Sequence, residues 1–121
     1  MKALIIDDEI DTCFLLSGIL KQKNLTCDCV NTLSDAAIKL KKERPAIVFL
    51  DNYLPDGQGI DFVEQIRQMS EHIKIILISA YETTLNERDR AIKNGANLFI
   101  AKPLSLEAIN QYVDELISTK R

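Results

Sequence analysis

Ile47-Val48-Phe49-Leu50-Asp51 decides the fold: four apolar residues in a row, then a carboxylate. A run this short and continuous, bounded by charge, reads as a strand covered on both faces, which is how parallel sheets are built. Two further runs repeat the pattern. Ala3-Leu4-Ile5-Ile6 ends on Asp7-Asp8, and Leu98-Phe99-Ile100-Ala101 ends on Lys102-Pro103. Buried strands that stop on carboxylates and an amine build a polar site along one edge of a sheet.

Outward from these runs, the chain alternates strand and helix patterns. Strands are expected over residues 3–7, 26–30, 46–51, 74–79 and 97–101. Between them, apolar residues recur at helical spacing. Leu33, Ala36, Ala37 and Leu40 form one stripe, Phe62, Val63, Ile66 and Met69 a second, and Leu106, Ile109, Val113, Leu116 and Ile117 a third. The first helix is expected to turn Ile10, Cys13, Phe14, Ser17 and Leu20 inward. Pro45 and Gly95 punctuate helix ends. Thr84-Leu85-Asn86-Glu87 has capping-box spacing and starts a fourth helix over about 84–94. That helix has the weakest pattern, with only Leu85 and Ile92 on its inner stripe, so loose docking is expected.

Alternating β and α units imply a doubly wound α/β fold, a five-stranded parallel sheet between two helical layers. In such sheets the ligand site lies beyond the carboxyl ends of the strands, where strand order reverses. The order 2-1-3-4-5 puts the first and third strands side by side there. Asp7, Asp8 and Asp51 then converge, with Ser79 and Lys102 arriving from the fourth and fifth strands.

The bulk numbers fit one domain over residues 1–121. The chain is 46% hydrophobic and 27% charged, enough for an ordinary core and a solvated surface. A net charge of −3 gives no footprint for nucleic acid or an anionic membrane. No apolar stretch approaches the roughly 20 residues of a membrane span. The three cysteines, Cys13, Cys27 and Cys29, are odd in number and lack metal-type spacing. They argue against a disulfide framework and for a reducing, cytoplasmic setting. Cys27 and Cys29 share a strand face and read as small buried apolar side chains. His72, the single histidine, sits in a polar turn and reads as a surface residue.

Three close carboxylates repel one another and need a compensating charge. A hard divalent cation such as Mg²⁺ takes oxygen ligands and keeps several waters, and Lys102 adds a fixed positive charge. A carboxylate in that setting is able to attack phosphorus and carry the phosphoryl group as an acyl phosphate. Ser79 is placed to give a hydroxyl hydrogen bond to a phosphoryl oxygen.

Taken together, Asp7-Asp8, Asp51 followed by Asn-Tyr-Leu-Pro-Asp-Gly-Gln-Gly, Ser79-Ala80, Gly95-Ala96 and Lys102-Pro103 resemble the receiver domain of two-component response regulators. The resemblance covers essentially the whole chain and implies a flavodoxin-like (βα)5 three-layer sandwich. It implies a signalling switch, not an enzyme, that takes a phosphoryl group onto Asp51 from a histidine kinase or histidine phosphotransfer protein. Asp8, Asp51 and the backbone carbonyl of Tyr53 would ligate Mg²⁺, with Asp7 acting through water. Ser79 and Phe99 would be the switch pair, and the Lys102-Pro103 bond is cis in many relatives. Tyr53 and Tyr81 would flank the path of the hydrolytic water and slow dephosphorylation.

A haloacid-dehalogenase-like phosphohydrolase also uses a strand-end Asp, Mg²⁺ and a Lys. Its nucleophile is followed two residues later by a second Asp, where this chain has Tyr53. A non-phosphorylated docking module of the same fold is a further alternative, against which stand Asp7, Asp8, Asp51, Ser79 and Lys102. Output is expected from the face made by the fourth helix, fifth strand and fifth helix. Arg88, Arg90, Lys93, Glu107 and Asp114 give that face mixed charge. It permits a phosphorylation-dependent homodimer or docking to a downstream effector, and selects neither. Ser118-Thr119-Lys120-Arg121 fits either the end of a single-domain regulator or the start of a linker.

Overall fold

A computed structural model of the protein describes residues 1–79 and 85–118. Strands β1 (Lys2–Ile6), β2 (Thr26–Val30) and β3 (Ile47–Asp51) are followed by a short hairpin, β4 (Tyr53–Leu54) and β5 (Gly57–Gln58). Strands β6 (Lys74–Ser79) and β7 (Leu98–Ala101) complete the set. The helices are α1 (Ile10–Gln22), α2 (Leu33–Lys42), α3 (Gly59–Met69), α4 (Leu85–Asn94) and α5 (Leu106–Ser118). The five long strands form one parallel sheet in the order β2-β1-β3-β6-β7, which is the expected 2-1-3-4-5. Strand ends fall within about one residue of expectation, the ordinary uncertainty of such boundaries.

Every residue of β3 is buried, as its continuous apolar run demands. β2 differs: it is an edge strand and only partly covered. The sheet separates two cores. Leu4, Ile6, Val48, Leu50, Ile75 and Leu77 face α2, α3 and α4. Ala3, Ile5, Ile47, Phe49, Ile76 and Ile78 face α1 and α5. Each fully buried Leu, Ile or Phe contributes about 1.5–3 kcal/mol, so these two layers carry the fold.

The stripes of α2 and α3 are as expected, with Ala36, Leu40, Phe62, Val63 and Ile66 buried. On α5, Ile109 and Val113 are buried, but Leu106 is exposed. The stripe expected on α1 is corrected in part: Leu20 is buried and Cys13 packs against the core as expected, but Ile10 is 83% exposed and Phe14 82%, while Thr12, Leu16 and Ile19 are buried in their place. Positions 10 and 12 differ by roughly 200° around a helix, so two apolar stripes were available on nearly opposite faces. Docking of Leu16, Ile19 and Leu20 onto the sheet selects the second. α4 is corrected in the same way: Leu85 and Ile92 are exposed and Ala91 is its buried residue. Polar links fasten it instead. Arg90 Nη2 lies 2.5 Å from Asp61 Oδ1, and Asn94 Nδ2 donates to the Ile60 carbonyl at 3.1 Å. The capping residue Thr84 lies outside the described residues.

The cysteine expectation is also overturned. Cys13 and Cys29 form a disulfide with Cα atoms 6.3 Å apart, and Cys27 is free and half-buried. The 16-residue separation gives no sign of it in sequence; the parallel β1–β2 pairing and the return of α1 across it bring the two together. His72 is exposed beside Glu71, as expected. No helix among the described residues is long and apolar enough to cross a membrane.

Candidate functional site

The polar edge forms because pairing brings the strand ends level. Ile6 is opposite Leu50, Asp51 opposite Ile78, and Ser79 opposite Ala101. Backbone bonds extend the ladder past the strands. Asp7 N–H donates to Val30 O at 3.0 Å, Asn52 N–H to Ile78 O at 2.8 Å, and Lys102 N–H to Ser79 O at 2.8 Å. Asp7, Asp51, Ser79 and Lys102 therefore come from four adjacent strands, with Asp8 in the loop after the first.

One carboxylate oxygen each from Asp7, Asp8 and Asp51 lie within 4.8 Å of one another. Asp7 and Asp51 are buried, whereas Asp8 is exposed. Lys102 Nζ stands 3.5 Å from Asp7 Oδ2 and 2.7 Å from Glu9 Oε1. Asp7 Oδ1 accepts the Glu9 N–H at 2.9 Å, and Asp51 Oδ1 accepts the Tyr53 N–H at 3.4 Å. Among the described residues, two buried polar atoms have no hydrogen-bond partner, Asp7 Oδ2 and Ser79 Oγ. Buried oxygens are normally satisfied, so these mark the place where a cation or ligand atom fits. Hard carboxylate donors suit Mg²⁺, Ca²⁺ or Mn²⁺ rather than a soft metal.

The electrostatics follow from burial. Loss of water raises Asp51 to about 6, and the Asp7 charge adds to this, while Lys102 pulls the other way. Burial likewise raises Asp7 against the Glu9 N–H and Lys102. For Lys102 burial lowers the pKa, but the Glu9 hydrogen bond and the Asp7 and Asp51 charges outweigh it, so the amine is raised and stays charged. The site is an acidic cluster partly neutralised by one ammonium.

Phe99 is buried in the α4-side core, with the Arg88 guanidinium 5.7 Å from its ring centroid. Tyr53 stands half-exposed in the hairpin that no strand pattern announced. The Lys102–Pro103 peptide is cis. Tyr81 lies outside the described residues. Two residues were not singled out by sequence. Glu9 pairs with Lys102, though its place in the Asp7-Asp8-Glu9 run was the signal. Buried Asn52 accepts the Gly59 N–H on its carbonyl and the Ile60 N–H on Oδ1, which anchors α3 directly behind Asp51. Of the mixed charges expected on the output face, Arg90 and Asp114 are engaged within the molecule, with Asp61 and Lys23. A groove there of about 260 Å³ is lined by Arg88, Phe99, Pro103, Leu104 and Tyr112 among others.

The profile of the response regulator receiver domain matches residues 3–114. The response regulator protein PilR of Pseudomonas aeruginosa is 34% identical over 112 residues, covering 93% of this chain and 25% of PilR. Sporulation initiation phosphotransferase F of Bacillus subtilis is 29% identical over 121 residues, covering 98% of this chain and 95% of that protein. The chain spans 52% of the Escherichia coli regulator BasR, so several relatives extend well beyond it. Among solved structures, the beryllofluoride-activated NtrC4 receiver domain dimer superposes with a TM-score of 0.91 at 30% identity, over 98% of this chain and 97% of that one. A two-component response regulator from Clostridium difficile gives the same TM-score at 27% identity, over 98% of this chain and 96% of that one.

Proposed function

The chain belongs to the response regulator receiver domain family, and from that premise we propose that Asp51 accepts a phosphoryl group from a phosphohistidine donor with Mg²⁺ bound beside it. The observation that carries this reading is the convergence of three carboxylates within 4.8 Å, next to the Lys102 ammonium and a buried hydroxyl with no partner among the described residues. An Asp51 carboxylate oxygen attacks phosphorus as the bond to the donor imidazole nitrogen breaks, leaving an acyl phosphate and a neutral histidine on the partner. Lys102 gives its charge to a phosphoryl oxygen, and the Ser79 hydroxyl donates to another. Asp8, Asp51 and the Tyr53 carbonyl would hold Mg²⁺ directly and Asp7 through water. When bound, the metal supplies positive charge that offsets the carboxylates and the incoming phosphate.

Ser79 and Phe99 act as the switch pair, linking the acyl phosphate to the α4–β7–α5 surface. That surface meets a downstream effector or a second copy, the latter suggested by the dimer of the activated NtrC4 receiver. The donor approaches over α1, where Ile10 and Phe14 offer an exposed apolar pair at the first turns of the helix. Residues 1–121 act as one receiver domain in the cytoplasm, a signalling switch without a released product of its own. Tyr53, with Tyr81, slows loss of the phosphoryl group; phosphoprotein decay no faster in Tyr53→Asn would remove that role.

Incubation with acetyl phosphate and Mg²⁺, followed by intact-mass measurement, tests the central step. Wild type gains one phosphoryl group and Asp51→Asn gains none. Labelling of Asp51→Asn, or none of wild type where another receiver is labelled, overturns the assignment.

A further inference from the structure

The Cys13–Cys29 bridge joins the helix that carries the acidic loop to the edge strand behind it. Cys27 and Cys29 lie two apart on β2, so both turn toward the α1 layer, opposite Ala3 and Ile5 of that core. α1 returns across the sheet from its carboxyl edge, which sets Cys13 in the first turns over Cys29 and leaves Cys27 about 7 Å further back. A Cα separation of 6.3 Å lies within the range that a disulfide spans. Cys29 is exposed and Cys13 half-buried, so the pair lies at the surface of the molecule.

The bridge is wired to the pocket through the backbone. Cys13 Sγ lies 3.8 Å from the Asp7 carbonyl, and Cys13 N–H donates to Glu9 O at 3.2 Å. From the other side, the Asp7 N–H donates to Val30, the residue after Cys29. Asp7, Glu9, Cys13 and the end of β2 form one small cluster.

We propose that Cys13 and Cys29 are a thiol–disulfide exchange site for low-molecular-weight disulfides of the glutathione type, and that closing it stiffens the Asp7–Glu9 loop. In the reduced protein, the Cys29 thiolate attacks one sulfur of the small disulfide and expels one thiolate. The Cys13 thiolate then attacks Cys29 Sγ and expels the second. The two protein thiols are oxidised, the small disulfide is reduced to two thiols, and the two protons given up by the protein thiols end on those two leaving thiolates. The functional consequence rests on the phosphoacceptor reading, since the stiffened loop carries the carboxylates beside Asp51. The proposal reconciles three cysteines with a reducing compartment: the bridge reports the surroundings instead of holding the fold.

The full chain is reduced, equilibrated with oxidised or reduced glutathione, alkylated and mapped by peptide mass. Amide hydrogen exchange over residues 7–13 is compared in the two forms. The expected result is a Cys13–Cys29 link with Cys27 alkylated, and exchange slower by at least about threefold in the oxidised form. Cys29→Ser, at an exposed edge, shows no such dependence. Three alkylated thiols after oxidised glutathione, a link through Cys27, or equal exchange rates each overturn the proposal. Acetyl phosphate labelling of the reduced form is read separately. Its absence counts against the phosphoacceptor reading and leaves the thiol map to decide this one.

Discussion

Glu9 holds Lys102: the two charged groups meet at 2.7 Å, nearer than the 3.5 Å between Lys102 and Asp7. The amine that would meet a phosphoryl oxygen is therefore engaged before one arrives. Glu9 is exposed, so the pair is screened by water and worth at most about 1 kcal/mol. Glu9→Gln is expected to raise the rate of labelling by acetyl phosphate, by at most about fivefold. Lys102→Ala is expected to lower it. An unchanged or slower Glu9→Gln would mean that the pair does not compete.

Asp51 makes stability depend on pH. Its pKa is raised by burial, and then by Asp7, from the ordinary 3.8 to about 6. A carboxyl raised in this way contributes stability that is complete below its unfolded value and is lost as pH rises through the folded one. Without metal, the protein is penalised above pH 6 by on the order of 2 kcal/mol. Asp51→Asn should melt several degrees higher than wild type in EDTA at about pH 7.5, and the gap should close toward about pH 4. Added Mg²⁺ should stabilise wild type more than the variant. A variant less stable than wild type in EDTA at that pH contradicts this account.

Two glycines predict opposite signs. A Cβ at Gly59 would collide with the backbone oxygen of Asp51, which the sheet holds in place. Gly59→Ala is expected to cost about 1–3 kcal/mol and to disturb phosphorylation as well. Gly18 lies inside α1 with nothing within 4 Å of an added Cβ. Gly18→Ala is expected to stabilise by about 0.5–1 kcal/mol with labelling unchanged. Chemical denaturation of both variants checks the pair, and equal signs would refute it.

Arg88 lies over the Phe99 ring, joining α4 to the proposed switch side chain. With Arg88 itself exposed to water, the contact is worth about 0.5–1 kcal/mol. Arg88→Ala should speed hydrogen exchange in α4 by about threefold while leaving α2 unchanged. Uniform exchange across both helices would show that the contact is incidental.

Strands β1, β3 and β6 were legible because burial on both faces forces a continuous apolar run, and few other structures write one. The site was legible for the same reason: Asp7, Asp51 and Lys102 each interrupt such a run. The phase of α1 was only partly legible: Leu20 belongs to the buried face as expected, but Ile10 and Phe14 match Leu16 and Ile19 in kind. Only the docked sheet tells the two faces apart. α4 failed on shortage of signal, since its docking rests on Arg90, Asn94 and one alanine. The Cys13–Cys29 pairing is a product of topology, joining residues that no local spacing relates. The Asp56 carboxylate, which accepts the Leu33 and Ser34 N–H groups at the start of α2, is hidden for the same reason.

The sheet also works as a partition. Leu50 and Leu77 fill one layer while Phe49 and Ile78 fill the other, and the side chains of neighbouring positions never share a volume. Substitutions on opposite sides of it add independently, because their effects meet only through a rigid backbone. Ile10 and Phe14 ride on one layer, and Phe99 with α4 belongs to the other. Changes at Ile10 or Phe14 are thus expected to leave the packing of Phe99 and α4 undisturbed.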